Sequence, residues 1–371
     1  MQRAIEIYKN FKCLEGTCPD TCCRGWQVLI DDTSFENICK DSSPLGKRMK
    51  RLVKRFPERV LKKNFIGRCP FETKEGLCSL HRDGRFDIMP LICQEYPRRM
   101  LGINGDVELT LELACPVVAK MFLEDRNLGR RLEYYEINEN HPSMWTLNND
   151  EPEHLEYMYG FRDKILDFVW GSSMGLGEVC NTLYSYCNRI QQEILRGKWQ
   201  EAAAEEVLAD KAENAGFAFF TMQLIDKFIT YNLYDPALSY ANRRLYKRIK
   251  QYHKLFDNLR VGEIDDFFER NMRRMISLNP KLQEKYRSYL SYVLQQNFIV
   301  CYEDYDLISA TVLPIVYTQI LMVMDLTIFL SHEDMGDENM ALELASLEKR
   351  MRHNTSISEG IMNRIRGEAN E

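Results

Sequence analysis

The sequence predicts a mainly α-helical protein that opens with a small, irregular, cysteine-rich module containing a β-hairpin. Three observations carry this. From about Asp125 onward, apolar residues recur every three or four positions, the period of helices that face a core. Before that point the elements are short and broken by turn residues, and eight of the twelve cysteines crowd into Cys13 to Cys115, with Cys39 a ninth standing alone among them. One segment of this first part, Val107 to Leu113, alternates strictly between apolar and polar residues. The expected division is a module over 1–124 and a helical domain over 125–371. At 371 residues and 45% hydrophobic content, the chain is long enough to bury a sizeable core in two domains.

Taken in order, the first element is a short strand from Trp26 to Ile30, expected after the turn at Arg24-Gly25. The run Lys47 to Lys63 carries nine basic residues and one acid, a pattern that most often lies on a solvated helix or loop. A hairpin is expected around Asn104-Gly105, a pair suited to a tight turn. Its second strand has Val107, Leu109, Leu111 and Leu113 on one buried face and Glu108, Thr110 and Glu112 on the other. In the second half, Leu155, Met158, Ile165 and Val169 form one helical stripe. Phe217, Phe220, Leu224, Phe228 and Tyr231 form another, and Met340, Leu344, Leu347 and Met351 a third. Gly175-Leu-Gly177 has neither a preceding strand nor the further glycine and acid of a dinucleotide loop, so it opens a helix from Glu178 onward.

Charge and hydropathy narrow the partners. A net charge of −6 argues against a general nucleic-acid binder. Leu307 to Leu330 is nearly all apolar, but Pro314, Gln319 and Asp325 interrupt it, which reads as a buried core helix broken or kinked near Pro314 and not as a membrane span. The N-terminal MQRAIEIYKNFKC has neither the apolar stretch nor the cleavage site of a secretory signal, so a cytoplasmic protein with reduced thiols is expected.

Reduced thiols at this density point to a metal or an iron–sulfur cluster, because thiolates are soft ligands. Cys13, Cys18, Cys22 and Cys23 fall within eleven residues, followed by Cys69, Cys78, Cys93 and Cys115. Cys39, Cys180, Cys187 and Cys301 are isolated and read as small apolar residues. No C-x2-C pair is present, whereas zinc modules usually use one; Cys78-Ser-Leu-His81 is the nearest equivalent and leaves zinc open. Cys18 and Cys22 supply a C-x3-C, but Gly25 stands where a radical S-adenosylmethionine motif needs its third cysteine. Cys22 and Cys23 are neighbours, and both reach one centre only in a turn.

Three strings, Phe11 to Trp26 (FKCLEGTCPDTCCRGW), Cys69-Pro70-Phe71 and Gly76-Leu77-Cys78, precede Cys93 with Tyr96-Pro97-Arg98 and Ala114-Cys115-Pro116. Together they resemble the flagellin lysine-N-methylase (FliB-type) family, and the cysteine core is similar to a broader zinc- or iron-chelating cysteine-cluster family. The motifs cover about the first 116 residues. They are specific for the family, not for flagellin as substrate. The resemblance implies methyl transfer from S-adenosylmethionine to lysine amines of a protein such as flagellin, with a [4Fe-4S] cluster on the N-terminal cysteines. Eight cysteines exceed the four that one cubane takes, so some lie behind the ligands or a second metal is present. Cys18, Cys22, Cys69, Cys78 and Cys93 rank ahead of Cys13, Cys23 and Cys115 as ligands on this reading.

Methyl transfer to lysine requires a deprotonated, desolvated amine aligned with the donor. Asp20, Glu95 and Tyr96, next to ligand cysteines, are the candidate catalytic side chains; Asp20 also suits a turn cap before Thr21, and Tyr96 suits the core. The donor site has no sequence signature, and a cleft between module and helices is the expected place for it. Two readings without catalysis compete: an iron–sulfur or electron-transfer protein whose helical half docks a partner, and a zinc-stabilised interaction module.

Overall fold

The computed structural model describes residues 2–5, 10–14, 17–24, 26, 28–56, 58–64, 67–125, 134–136, 145–208 and 222–368. It is mainly helical, with seven short strands among these residues: β1 (Gln2–Ile5), β2 (Val53–Lys54), β3 (Val60–Leu61), β4 (Arg98–Ile103), β5 (Asp106–Leu111), β6 (Tyr134–Glu136) and β7 (Trp145–Leu147). β2 and β3 pair with each other, and the remaining five form one sheet in the order β6-β1-β5-β4-β7. The hairpin forms where expected. β4 and β5 are antiparallel, with Ile103 opposite Asp106, and the turn uses Asn104 at φ 48° and Gly105 at φ 87°. Both left-handed residues belong to the tight turn that an Asn-Gly pair favours.

One feature of the hairpin departs from the pattern. Both faces of β5 are covered, so Glu108, Thr110 and Glu112 are as buried as the leucines between them. The polar face is buried because cations meet it from other elements: Arg162 Nη1 lies 3.1 Å from Glu108, and Arg99 Nε lies 3.7 Å from Glu112. Val107 and Leu109 pack with Met100 and Ala4 in a small cluster of their own, while Leu101, opposite Glu108, joins the helical core. Leu101, Leu111, Val118 and Phe122 belong to the same apolar cluster as Met158, Leu183, Tyr292 and Leu344. The core therefore runs through position 124 without interruption.

The helical half follows its stripes. Leu155, Met158, Ile165 and Val169 lie on the helix His154–Gly171, and Met340, Leu344, Leu347 and Met351 on Asp337–Met351. The helix near Gly175 begins at Leu176, two residues before the expected start, with Glu178 accepting the Gly175 N–H at 2.9 Å. Leu307–Leu330 is one continuous helix across Pro314, not a broken one. It is long and apolar enough to cross a membrane by composition, yet mostly buried among other helices, and its Asp325 meets Lys285 at 2.8 Å. The third stripe holds in part. Leu224 and Phe228 are buried, but the chain enters a π-helical turn at Phe228–Leu233, which shifts the register and leaves Tyr231 65% exposed beneath Arg364. Phe217 and Phe220 lie outside the described residues.

Among the described residues of the expected strand Trp26–Ile30, pairing is limited to one isolated bridge, Leu29 to Val60. The loop is held instead by Val28, Ile30, Met49, Phe71 and Ile88, which form a second, smaller core beside Cys69, Cys78 and Cys93. Asp31 fixes this core from above. One carboxylate oxygen caps the helix Asp32–Lys40 through Ser34 N–H, and the other accepts Leu91 N–H, both at 2.8 Å, which sets the helix carrying Cys93.

Candidate functional site

The cysteines are brought together by backbone pairing across three loops. Cys69 N–H donates to Cys23 O at 3.1 Å, and Arg24 bridges to Arg68, which lays the first loop along the second. Glu72 bridges to Cys78, and Ser79 N–H donates to Phe71 O, which folds Cys78 back onto the same loop. Arg24 and Arg68 both pair with the buried Glu72 and clamp this junction. The helix from Pro90 presents Cys93 beside them, and Trp26 Nε1 donates to Cys22 O at 2.7 Å.

Two neighbourhoods of thiols result. In the first, the Cys23 sulfur accepts hydrogen bonds from Cys22, Cys69 and Thr21, with Lys63 nearby, and these outweigh burial to hold its pKa at about 3. The same bonds push Cys22 and Cys69 up, since each donates to the Cys23 thiolate; burial adds to the rise. Burial, then the charge on Cys23, raises Cys93, and burial likewise raises Cys78. The second neighbourhood holds Cys13, Cys18 and Cys115. Burial raises Cys18, which also feels Cys13, and burial lifts Cys115 to about 11. Among the described residues, no three His, Cys, Asp or Glu side chains stand close enough together to enclose a metal ion.

Lys63 is the unexpected member of the first neighbourhood. Its Nζ is buried and makes no hydrogen bond; burial lowers its pKa, and the neighbouring sulfurs of Cys69, Cys23 and Cys93 act in the opposite direction. A buried ammonium without a partner is costly, so the amine keeps its charge here only beside concentrated negative charge on those sulfurs. A thiolate-ligated metal centre carries such charge. The thiol donors and the buried amine suit such a centre in their chemistry, while among the described residues no three of the ligating side chains enclose a metal ion as they stand.

The isolated cysteines stand apart. Cys39 is exposed on a surface helix, and Cys180, Cys187 and Cys301 are buried in the helical core, with Cys187 against Thr311 at 3.0 Å. His81, the zinc alternative, is exposed. Its ring packs edge-on against Phe86, and its backbone N–H is what reaches Cys78.

The three candidate catalytic residues fall in different places. Asp20 caps Thr21 N–H at 2.8 Å, as its turn position suggests, and also forms an ion pair with Lys349. Glu95 ends the helix Leu91–Glu95, half-buried. Tyr96 stacks on Trp26 with ring centroids 5.5 Å apart, and His353 packs against the same indole at 5.3 Å. Tyr96 Oη and His353 Nε2 are both buried without a hydrogen-bond partner. Burial holds Tyr96 protonated and His353 neutral, raising the first pKa and lowering the second.

His353 also lines a cavity of about 580 Å³ between the β4–β5 hairpin and the last helices. Glu112 stands in its wall. Burial opposes ionisation of this carboxyl, but Arg352, His353 and Arg99 outweigh burial and hold its pKa below the ordinary value. Arg352 is held in turn by Asn297 at 3.1 Å and Glu348 at 3.5 Å.

Lys63, Lys349, Arg352 and His353 have no place in the sequence reading. Lys63 is indistinguishable by pattern from the solvated basic residues before it. The other three belong to Lys349-Arg-Met-Arg-His353, a cationic run at the end of an amphipathic helix, which is the one local signal that marks them.

Comparison with known proteins gives three relatives. The chain is 26% identical over 129 residues to the flagellar biosynthetic protein FliU of Salmonella muenchen, covering 31% of this chain and 73% of that protein. It is 27% identical over 129 residues to proteins named lysine-N-methylase from Salmonella choleraesuis and Salmonella typhimurium, covering 31% of this chain and 31% of each of them. The match thus spans about a third of the length of either methylase. No family model and no solved structure matches the chain. These relatives bear out the resemblance to the flagellin lysine-N-methylase family read from the cysteine motifs.

Proposed function

We propose that this chain, similar over about a third of its length to proteins named lysine-N-methylase, is itself a protein-lysine N-methyltransferase that uses S-adenosylmethionine and carries a [4Fe-4S] cluster. Its substrate is flagellin or a similar surface protein, met in the cytoplasm, with no role for nucleic acid or membrane. The observation that carries the reading is the gathering of Cys22, Cys23, Cys69 and Cys93 around one thiolate and one buried, unpartnered ammonium, Lys63 Nζ.

Those four cysteines would hold the cluster, with Cys78 beside them and Cys13, Cys18 and Cys115 behind. Cys23 therefore ranks higher than its place in the sequence motif suggests. When bound, the cluster supplies a fixed soft centre that orients or polarises the donor, since the third cysteine of the radical motif is replaced by Gly25. The remaining chemistry falls to side chains. The target amine reaches the reaction as an ammonium and has to lose its proton. His353 is held neutral by burial, and its Nε2 has no other partner, which suits it to take that proton. The faces of Trp26 and Tyr96 suit a cationic side chain and exclude water from it.

The test is incubation of anaerobically purified protein with labelled S-adenosylmethionine and flagellin from the source organism. Label in lysine, with iron and sulfide in the protein, is the expected result. Protein that holds zinc alone, with no labile sulfide, removes the cluster; iron and sulfide without any methyl transfer leave a non-enzymatic iron–sulfur protein.

A further inference from the structure

The cavity beside His353 has a chemistry of its own. Its volume of about 580 Å³ lies within the range of sites that enclose a whole small molecule, and exceeds what one lysine side chain fills. Leu101, Leu313, Tyr317 and Met351 give it apolar and aromatic walls. Glu112, ionised between Arg99 and Arg352, stands in one wall, and Asp304 lines the cavity as well. Apolar surface, arginines and carboxylates thus converge in one half-open pocket. That set matches a molecule with a flat heteroaromatic end, hydroxyl groups, and an amino-acid end bearing both a carboxylate and positive charge. Arginine is suited to the carboxylate, and the acidic side chains to hydroxyls and cationic centres.

We propose that this cavity binds the methyl donor, a nucleoside carrying a sulfonium, with the sulfonium on the side of Glu112 and His353. This rests on the reading of the chain as a donor-dependent methyltransferase, and it gives the donor a place that no sequence motif marks. The placement fits the rest of the site. His353 both lines the cavity and packs on Trp26 and Tyr96, so a donor here lies one side chain away from the unpartnered Tyr96 Oη. No cysteine of the first thiol neighbourhood lines the cavity, and His353, which packs on Trp26, whose indole donates to Cys22 O, links a donor there to those thiols.

The experiment uses the full-length, iron-loaded protein and two ligands that differ by one methyl group and one charge. S-adenosylmethionine and S-adenosylhomocysteine are titrated calorimetrically into the wild type, Glu112→Gln and Leu313→Trp. Glu112→Gln removes a negative charge beside the sulfonium and should weaken S-adenosylmethionine about tenfold more than the uncharged thioether. Leu313→Trp fills the cavity and should weaken both ligands together. Ultraviolet crosslinking of labelled donor to the wild type needs no variant to fold, and should mark peptides that contain Arg99 to Glu112, Leu313 to Tyr317 or Met351 to His353. Crosslinks confined to other peptides, or an unchanged ratio of the two affinities in Glu112→Gln, overturn the placement and leave the methyltransferase reading intact. A wild type that binds neither ligand overturns the donor-dependent reading and the placement with it.

Discussion

Replacing Arg162 by methionine tests how the sheet is joined to the helices. Arg162 Nη1 lies 3.1 Å from Glu108, and the two side chains are 6% and 3% exposed. A surface pair of the same geometry contributes about 0–1 kcal/mol, because water and salt screen it. Here the loss is of another kind. Without Arg162 the Glu108 carboxylate remains inside, on a strand whose other face is also buried, and breaking a buried ion pair by removing one partner costs about 3–5 kcal/mol. For a chain of this size each kcal/mol moves the thermal midpoint by roughly 2 °C, so Arg162→Met should lower it by roughly 6–10 °C. The double variant Arg162→Met/Glu108→Leu replaces both charges by apolar groups and should recover most of that loss. Scanning calorimetry at two salt concentrations measures it. The drop should be the same in both, since a buried pair is little screened. A single-variant shift below about 2 °C, or a double variant no better than the single, would falsify the account of this face.

Three further outcomes are expected. Cys22→Ser or Cys93→Ser should lose iron and sulfide, while Cys180→Ser or Cys301→Ser should keep both; like behaviour of all four in elemental analysis removes the division into gathered and core cysteines. Burial depresses the pKa of His353, so its contribution to stability is fully present above the unfolded value of about 6.5 and is lost as pH falls through the lower folded value. Urea midpoints of His353→Gln measured from pH 7 to pH 5 should therefore fall less steeply than those of the wild type, and parallel slopes count against the assignment. The fragment Met1 to Glu124 lacks the helices that cover Leu101, Leu111, Val118 and Phe122, so it should give poorly dispersed amide spectra and no methyl transfer. Transfer by that fragment near the full-length rate would rule out a site shared with the helices.

What was legible follows from what is local. Asn104-Gly105 and the alternation after it specify a hairpin within a few residues, and the hairpin is there. The stripe from Leu155 to Val169 specifies a helix, because each position buries the same face. The errors arise where a distant partner decides. Glu108 and Glu112 read as a solvated face because glutamate is rarely buried, and only Arg162 and Arg99 reverse that. Trp26 to Ile30 has the composition of a strand, but its backbone pairing with 59–61 amounts to the single Leu29–Val60 bridge, made by Ile30 N–H to Arg59 O and Leu61 N–H to Val28 O. The cysteine motifs marked the right loops without showing which sulfurs meet. That depends on the Arg24–Arg68 and Glu72–Cys78 bridges, which no spacing rule encodes. Lys63 was invisible, and His353 marked only by its cationic run, for a simpler reason: what sets each apart is an unsatisfied polar atom, a property of the folded neighbourhood and not of the residue type.

The position of the cationic run near the C-terminus carries a consequence for how the cysteine loops are made. Lys349 reaches both the Asp20 carboxylate and the Thr21 carbonyl, which lie between Cys18 and Cys22. His353 packs on Trp26, whose indole holds the Cys22 carbonyl. Arg99 in β4 donates to the Gln296 carbonyl, and Arg352 pairs with Glu348 deep in the same seam. The loop bearing four of the eight gathered cysteines is therefore held in place by a helix more than three hundred residues away, as well as by its own small core. Ligand geometry in such a loop cannot be set before that helix docks. If the proposed cluster binds there, metal loading and docking of the helix Asp337–Met351 are coupled, because whatever stabilises one conformation of the loop stabilises its contacts with Lys349 and His353. Lys349→Met should accordingly lower iron content in protein purified without oxygen, although Lys349 touches no cysteine through its side-chain hydrogen bonds. Full iron content in that variant, with an unchanged thermal midpoint, would show that the loop is set by its own core alone.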